Sequence, residues 1–86
     1  MRHARDQDLD RIQDLLVQLR TLPGLTEKKR GVFYRKSRAF VHFHEDPAGM
    51  FADIGLGPDL IDTRIDVTHP AGQAALLALA RERLEL

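Results

Sequence analysis

The side chains best suited to chemistry lie in one stretch: His42 and His44 are separated by a single residue, and Asp53 follows one short turn later. On an extended chain, alternate side chains point to the same side, so the two imidazoles are presented together. Two histidines and a carboxylate can hold zinc or ferrous iron while leaving coordination positions open. Glu45, Asp46 and His69 are outer candidates for the same ion. The competing reading is structural: a half-buried polar pair in which His42 is hydrogen-bonded to Asp53. No separate carboxylate is placed as a general base, so no catalytic residue is assigned. Other chemistry has less support. Ser37 is the only serine and stands between Lys36 and Arg38, where a turn calls for a small polar residue. Gly55-Leu56-Gly57-Pro58 matches neither a phosphate-binding loop nor a dinucleotide fingerprint and reads as a turn. The absence of cysteine excludes disulfides, thiolate metal sites, iron-sulfur clusters and a cysteine nucleophile.

The elements that must position these residues follow from periodicity. Leu9, Ile12, Leu15, Leu16, Leu19 and Leu22 are spaced by three and four, which predicts an amphipathic helix over 8–22, capped by Asp6 or Asp8 and ended by Pro23-Gly24. From Gly31 the pattern changes to β-branched and aromatic residues in alternation, predicting strands at 32–34, 39–44 and 50–54. The breaks at Arg35-Lys36-Ser37-Arg38 and Asp46-Pro47-Ala48-Gly49 read as hairpin turns. A fourth alternating run, 61–67, puts Ile61, Ile65 and Val67 on one side and reads as a further strand or as a short helical turn leading into one. The chain closes with a helix in which Thr68 or His69 caps, Pro70 occupies the first turn, and Arg81, Glu82, Arg83 and Glu85 form a solvated end. The expected architecture is a single α+β domain over 1–86: two layers, an N-terminal helix, an antiparallel meander of three to four strands and a C-terminal helix.

Pairing Glu45 with Met50 around the second turn sets His44 opposite Phe51, Phe43 opposite Ala52, His42 opposite Asp53 and Val41 opposite Ile54. Extending through Tyr34 opposite Ala39 sets Phe33 opposite Phe40 and Val32 opposite Val41. One face then carries Val32, Tyr34, Ala39, Val41, Phe43, Met50, Ala52 and Ile54, and is the face the helices cover. The other collects Phe33, Phe40, His42, His44, Phe51 and Asp53. A one-residue slip would exchange faces along a whole strand. Three exposed phenylalanines would be a large apolar patch, so a cover is expected: the loop around residues 55–60, sheet curvature, a second copy of the chain, a nucleic acid, or a small ligand or metal.

The net charge is zero, with 13 basic and 13 acidic residues among 86, but residues 1–44 hold ten Lys/Arg against five Asp/Glu and residues 45–86 hold three against eight. Lys28, Lys29, Arg30, Arg35, Lys36 and Arg38 form the densest basic segment, and with the phenylalanines they offer phosphate contacts and stacking surfaces for nucleic acid. Two oppositely charged surfaces neutralising each other within one domain is the simpler reading. A chain of this length buries roughly 60 to 65% of its unfolded surface, enough for one small core and not for a two-domain cleft. No apolar run approaches a membrane span, and the first residues, Met-Arg-His-Ala-Arg-Asp, do not resemble a secretory signal, so a cytoplasmic protein without membrane contact is expected.

The segment Leu22-Pro23-Gly24-Leu25, followed by Val41-His42-Phe43-His44-Glu45-Asp46-Pro47-Ala48-Gly49-Met50-Phe51-Ala52-Asp53-Ile54, resembles the small luciferase-like domain found in many bacterial proteins of unknown function. The likeness lies in the Leu-Pro-Gly turn, the His-X-His strand, the Gly-containing turn and the closing Asp-Ile pair. It implies that His42, His44 and Asp53 match recurring polar positions of that family. It departs from the family in having Val41 where a glycine is expected and no tryptophan. It supplies no reaction.

Taken together, the residues favour a non-catalytic binding or assembly module acting through the Phe/His face, as a homodimer or with an unidentified protein or small ligand. A metal-assisted or acid-base enzyme site at His42, His44 and Asp53 is the alternative, and nucleic-acid binding through the 28–38 segment is a third.

Overall fold

The computed structural model describes residues 1–55 and 62–86. Along the chain the elements are β1 (Arg2–His3), α1 (Asp6–Asp10), α2 (Gln13–Arg20), β2 (Leu25–Lys29), β3 (Val32–Arg35), β4 (Arg38–Asp46), β5 (Gly49–Ile54), β6 (Thr63–Asp66) and α3 (Pro70–Leu84). The fold is α+β, a meander in the order β2-β3-β4-β5-β6 with helices on one face, and β1 pairs separately with β4. Every pairing is antiparallel. No helix among the described residues is long and apolar enough to cross a membrane.

The helix expected over 8–22 is two short helices broken at Arg11-Ile12, yet the apolar stripe serves the same purpose. Leu9, Ile12, Leu15, Leu16, Leu19 and Leu22 are all buried in one core with residues of the sheet and of α3. The start of α1 uses Asp8, whose carboxylate accepts the Arg5 backbone N–H at 2.9 Å. His69 is the N-cap of α3 and Pro70 opens it, as Pro70's fixed φ favours. The expected solvated end of α3 needs one correction. Arg83 donates to the carbonyls of Ile54 and Gly55 at 2.8 and 2.9 Å and to Thr63 Oγ1 at 2.7 Å, tying the helix to the ends of β5 and β6.

Two strands went unforeseen. Leu25-Thr26-Glu27-Lys28-Lys29 has no apolar alternation because it is an edge strand, where lysines discourage pairing with another chain. β1 is two residues long and is held by Arg2, which pairs with Asp8 at 3.1 Å and Glu45 at 2.8 Å. The 61–67 run supplies β6 at the opposite edge, with Ile65 opposite Ala52. Ile61 and most of the Gly55-Leu56-Gly57-Pro58 turn lie outside the described residues, as does the loop considered as a cover for the outer face.

The second hairpin has the expected register from Val41↔Ile54 to Glu45↔Met50, extended by Asp46↔Gly49. The first does not. Tyr34 pairs with Ala39 as expected, but Phe33 pairs with Val41, leaving Phe40 as an extra residue on β4. This β-bulge changes which residues face the core. Phe33 shares the face of Val41, and Phe33 and Phe40 are each 1% exposed. Val32 and Tyr34, which flank Phe33, therefore turn to the face of His42 together with Ala39, the partner of Tyr34, and leave the helix-covered face expected for all three. Burying two phenylalanines is worth several kcal/mol, on the order of 1.5–3 each, which explains why the ladder accepts the irregularity.

Candidate functional site

On the face away from the helices, antiparallel pairing lines up two neighbouring rows of side chains. One row runs His3, His44, Phe51 and Asp66 across β1, β4, β5 and β6. The other runs His42, Asp53 and Arg64 across β4, β5 and β6. Asp53 lies at the centre and is 7% exposed, although no helix covers it. Its partners do the covering.

Arg64 grips the Asp53 carboxylate with two parallel hydrogen bonds, Nε to Oδ1 at 2.7 Å and Nη2 to Oδ2 at 2.9 Å. The fork geometry of guanidinium and carboxylate makes this a strong and directional contact. Oδ2 also faces both imidazoles: His42 Nε2 lies at 3.3 Å and His44 Nε2 at 3.1 Å. His42 is directly opposite Asp53, whereas His44 reaches it along the diagonal. The His42 and His44 rings meet edge to face, with centroids 5.0 Å apart, and His3 stands 4.7 Å from His44.

The electrostatics follow from this arrangement. The Arg64 guanidinium, with help from the two imidazoles against the cost of burial, holds the Asp53 carboxyl below its ordinary value. Asp53 in turn raises Arg64. Burial pushes His42 down despite the attraction of Asp53, so its neutral form is favoured near neutral pH. A neutral imidazole is the form that offers a lone pair to a metal or a proton.

Of the residues expected at the site, His42, His44, Asp53 and half-buried Phe51 come together on the outer face. Phe33 and Phe40 do not, because the bulge turns both into the core. The aromatic patch that motivated a homodimer is therefore reduced to Phe51, with Tyr34 farther along the face. The basic residues are dispersed. Lys28, Lys29 and Arg30 lie at one end of β3, and Arg35, Lys36 and Arg38 at the other, about 10 Å away along the strand. Arg30 is engaged by Asp10 at 2.8 Å, Gln13 at 2.8 Å and Asp6, and Lys28 sits 4.3 Å from the centre of the Tyr34 ring.

Sequence reasoning missed His3 and Arg64. Arg64 was within reach, since alternation with Ile65 puts it on the polar side of its strand. His3 had no signal, because it reaches the cluster only through the pairing of β1 with β4. No family model, curated protein or solved structure matches the chain.

Proposed function

We propose that the protein is a metal-binding module that holds a divalent transition ion, zinc or ferrous iron, on the outer face of its sheet through His42, His44 and Asp53. The observation that carries this reading is convergence: one ligand atom from each of the three residues lies within 4.8 Å of the others. The two Nε2 to Oδ2 separations, 3.3 and 3.1 Å, match the edge of a tetrahedral shell, which for metal bonds of about 2.0–2.1 Å is about 3.3 Å. No other such cluster is found among the described residues.

Binding needs little rearrangement. The imidazole protons move to Nδ1 so that each Nε2 presents its lone pair, and the ionised Asp53 supplies an oxygen. Arg64 stays on the carboxylate as an outer partner that fixes its orientation, at the cost of a positive charge close to the ion. Three protein ligands leave a position for water or a small ligand, so the module can present an ion as well as store it. The histidines and aspartate are also the positions singled out by the likeness to the luciferase-like family, and no light-emitting chemistry is drawn from it.

The test is a zinc titration of chelator-treated protein followed by amide and imidazole NMR. Saturable one-to-one shifts centred on His42, His44 and Asp53 are expected, with His44→Ala weakening binding by more than about 100-fold, beyond the 10–100-fold typical of outer partners. His3→Ala is expected to weaken it least. Zinc shifts centred elsewhere, or none, would overturn the reading and leave a hydrogen-bonded polar cluster.

A further inference from the structure

We infer that the protein has a second binding site, a slot through the edge of the sheet that takes a small organic carboxylate with a compact apolar body. The slot comes from how β4 is flanked. One edge of β4 is shared by two strands: β3 pairs as far as Val41, and β1 begins at His44. Between them lie His42 and Phe43, where the contact from the β1 side is a single hydrogen bond from Ala4 N–H to the Phe43 carbonyl at 3.1 Å. A cavity of about 330 Å³ opens at this gap.

His42 and Phe43 point to opposite faces of the sheet, yet both line the cavity, so it passes through the sheet edge and does not simply lie on one face. Its inner end is apolar, built from Leu9 and Phe43, and Val32, on the same side of β3 as Tyr34, continues the apolar lining toward the outer face. The wall at Gly31 depends on the absence of a side chain: φ there is +79°, and an added Cβ would come within 2.8 Å of Leu9. Toward the outer face the lining is polar and holds no carboxylate: Tyr34, His42, His3 and Lys29 among it. Arg30 borders the cavity but its guanidinium is engaged by Asp6, Asp10 and Gln13. Lys29 has no ion-pair partner among the described residues and is the cation available to an entering ligand.

A recessed, half-open cavity with an apolar inner end and a cationic and hydrogen-bonding rim selects an amphipathic anion. The apolar body leaves water against Leu9, Val32 and Phe43, and the carboxylate stays at the rim near Lys29. The volume is at the lower end of small-molecule sites, roughly 300–1,000 Å³, which suits a single-ring or short branched acid. A bare inorganic anion would leave the apolar wall unused. The site borders the metal cluster through His42, but nothing in its shape or charge requires a metal.

Benzoate is the probe, titrated into chelator-treated protein and followed by amide NMR, with benzylamine as the cation of matched shape. Using metal-free protein keeps this test separate from the zinc reading, so either can fail alone. Saturable benzoate shifts concentrated at Gly31, Val32 and Phe43 are expected, with benzylamine at least tenfold weaker. Lys29→Glu, an exposed change that leaves the remaining spectrum in place, is expected to weaken benzoate at least tenfold. Equal responses to benzoate and benzylamine, an unchanged affinity in Lys29→Glu, or no benzoate shift at these amides would overturn the proposal.

Discussion

On the inner face of the sheet, Val41, Phe43, Met50, Ala52 and Ile54 are each at most 3% exposed and join one apolar cluster with the helices. On the outer face, alternating residues of the same two strands, His42, His44 and Asp53, form a polar cluster beside Phe51 that no helix covers. Asp53 is nonetheless almost as buried as its apolar neighbours. The inner face removes water by packing against a second layer, whereas the outer face removes it around one carboxylate with a guanidinium and two imidazoles. Apolar burial is non-directional and tolerates many arrangements; a buried carboxylate requires partners at defined positions. The same sheet thus has one face that packs by bulk and one that fixes a carboxylate among directed partners.

The largest effect expected from breaking this contrast is on the inner face. Phe40→Ala should cost about 3–5 kcal/mol in urea unfolding, as for a fully buried aromatic, while Phe51→Ala on the half-buried outer row should cost clearly less. The reverse order would show that Phe40 is not a core residue and that the bulge is misplaced. Asp53→Ala comes next: it leaves the two part-buried imidazoles without their carboxylate while the half-exposed Arg64 returns to water, should cost about 1–3 kcal/mol, and should remove zinc binding, read in parallel by denaturation and titration. Unchanged zinc affinity in that variant would remove Asp53 from the ligand set.

Arg64→Met is a smaller change on the outer face. Without the guanidinium the Asp53 carboxyl should titrate closer to its ordinary value of 3.8, visible by carboxyl carbon NMR. Zinc affinity should rise several-fold, because a competing cation is gone; a fall would mean that orientation by Arg64 outweighs its repulsion. The smallest effect is on pH. His42 is lowered from 6.5 by burial, so its contribution to stability is present above 6.5 and is lost as pH falls through its lower folded value. The urea midpoint should therefore decline modestly from pH 7.5 to 5.5, and the decline should be smaller in His42→Phe. Zinc affinity should fall over the same range because protons compete for Nε2.

Much of this was legible before the structure. The leucine spacing marked the buried side of the N-terminal region even though the helix is broken in two. Asp46-Pro47-Ala48-Gly49 set the register of β4 against β5, and with it the placement of His42 opposite Asp53. A tight turn transmits register along both strands, one residue at a time. The placement of Phe33 and Phe40 was not legible, because a bulge is a choice of the backbone made only when there is a core for the extra side chain to enter.

Local residue patterns thus set which residues are apolar at helical or strand spacing, where the chain turns, and that two imidazoles and a carboxylate meet across one hairpin. What surrounds them comes from long-range packing. Arg64 reaches Asp53 because β6 returns along β5, His3 reaches His44 because β1 docks through Arg2, and the slot beside His42 exists because β1 and β3 share one edge of β4 without meeting. These are contacts between segments far apart in the chain. Their geometry depends on how every intervening element packs, and no local pattern of residue types encodes that.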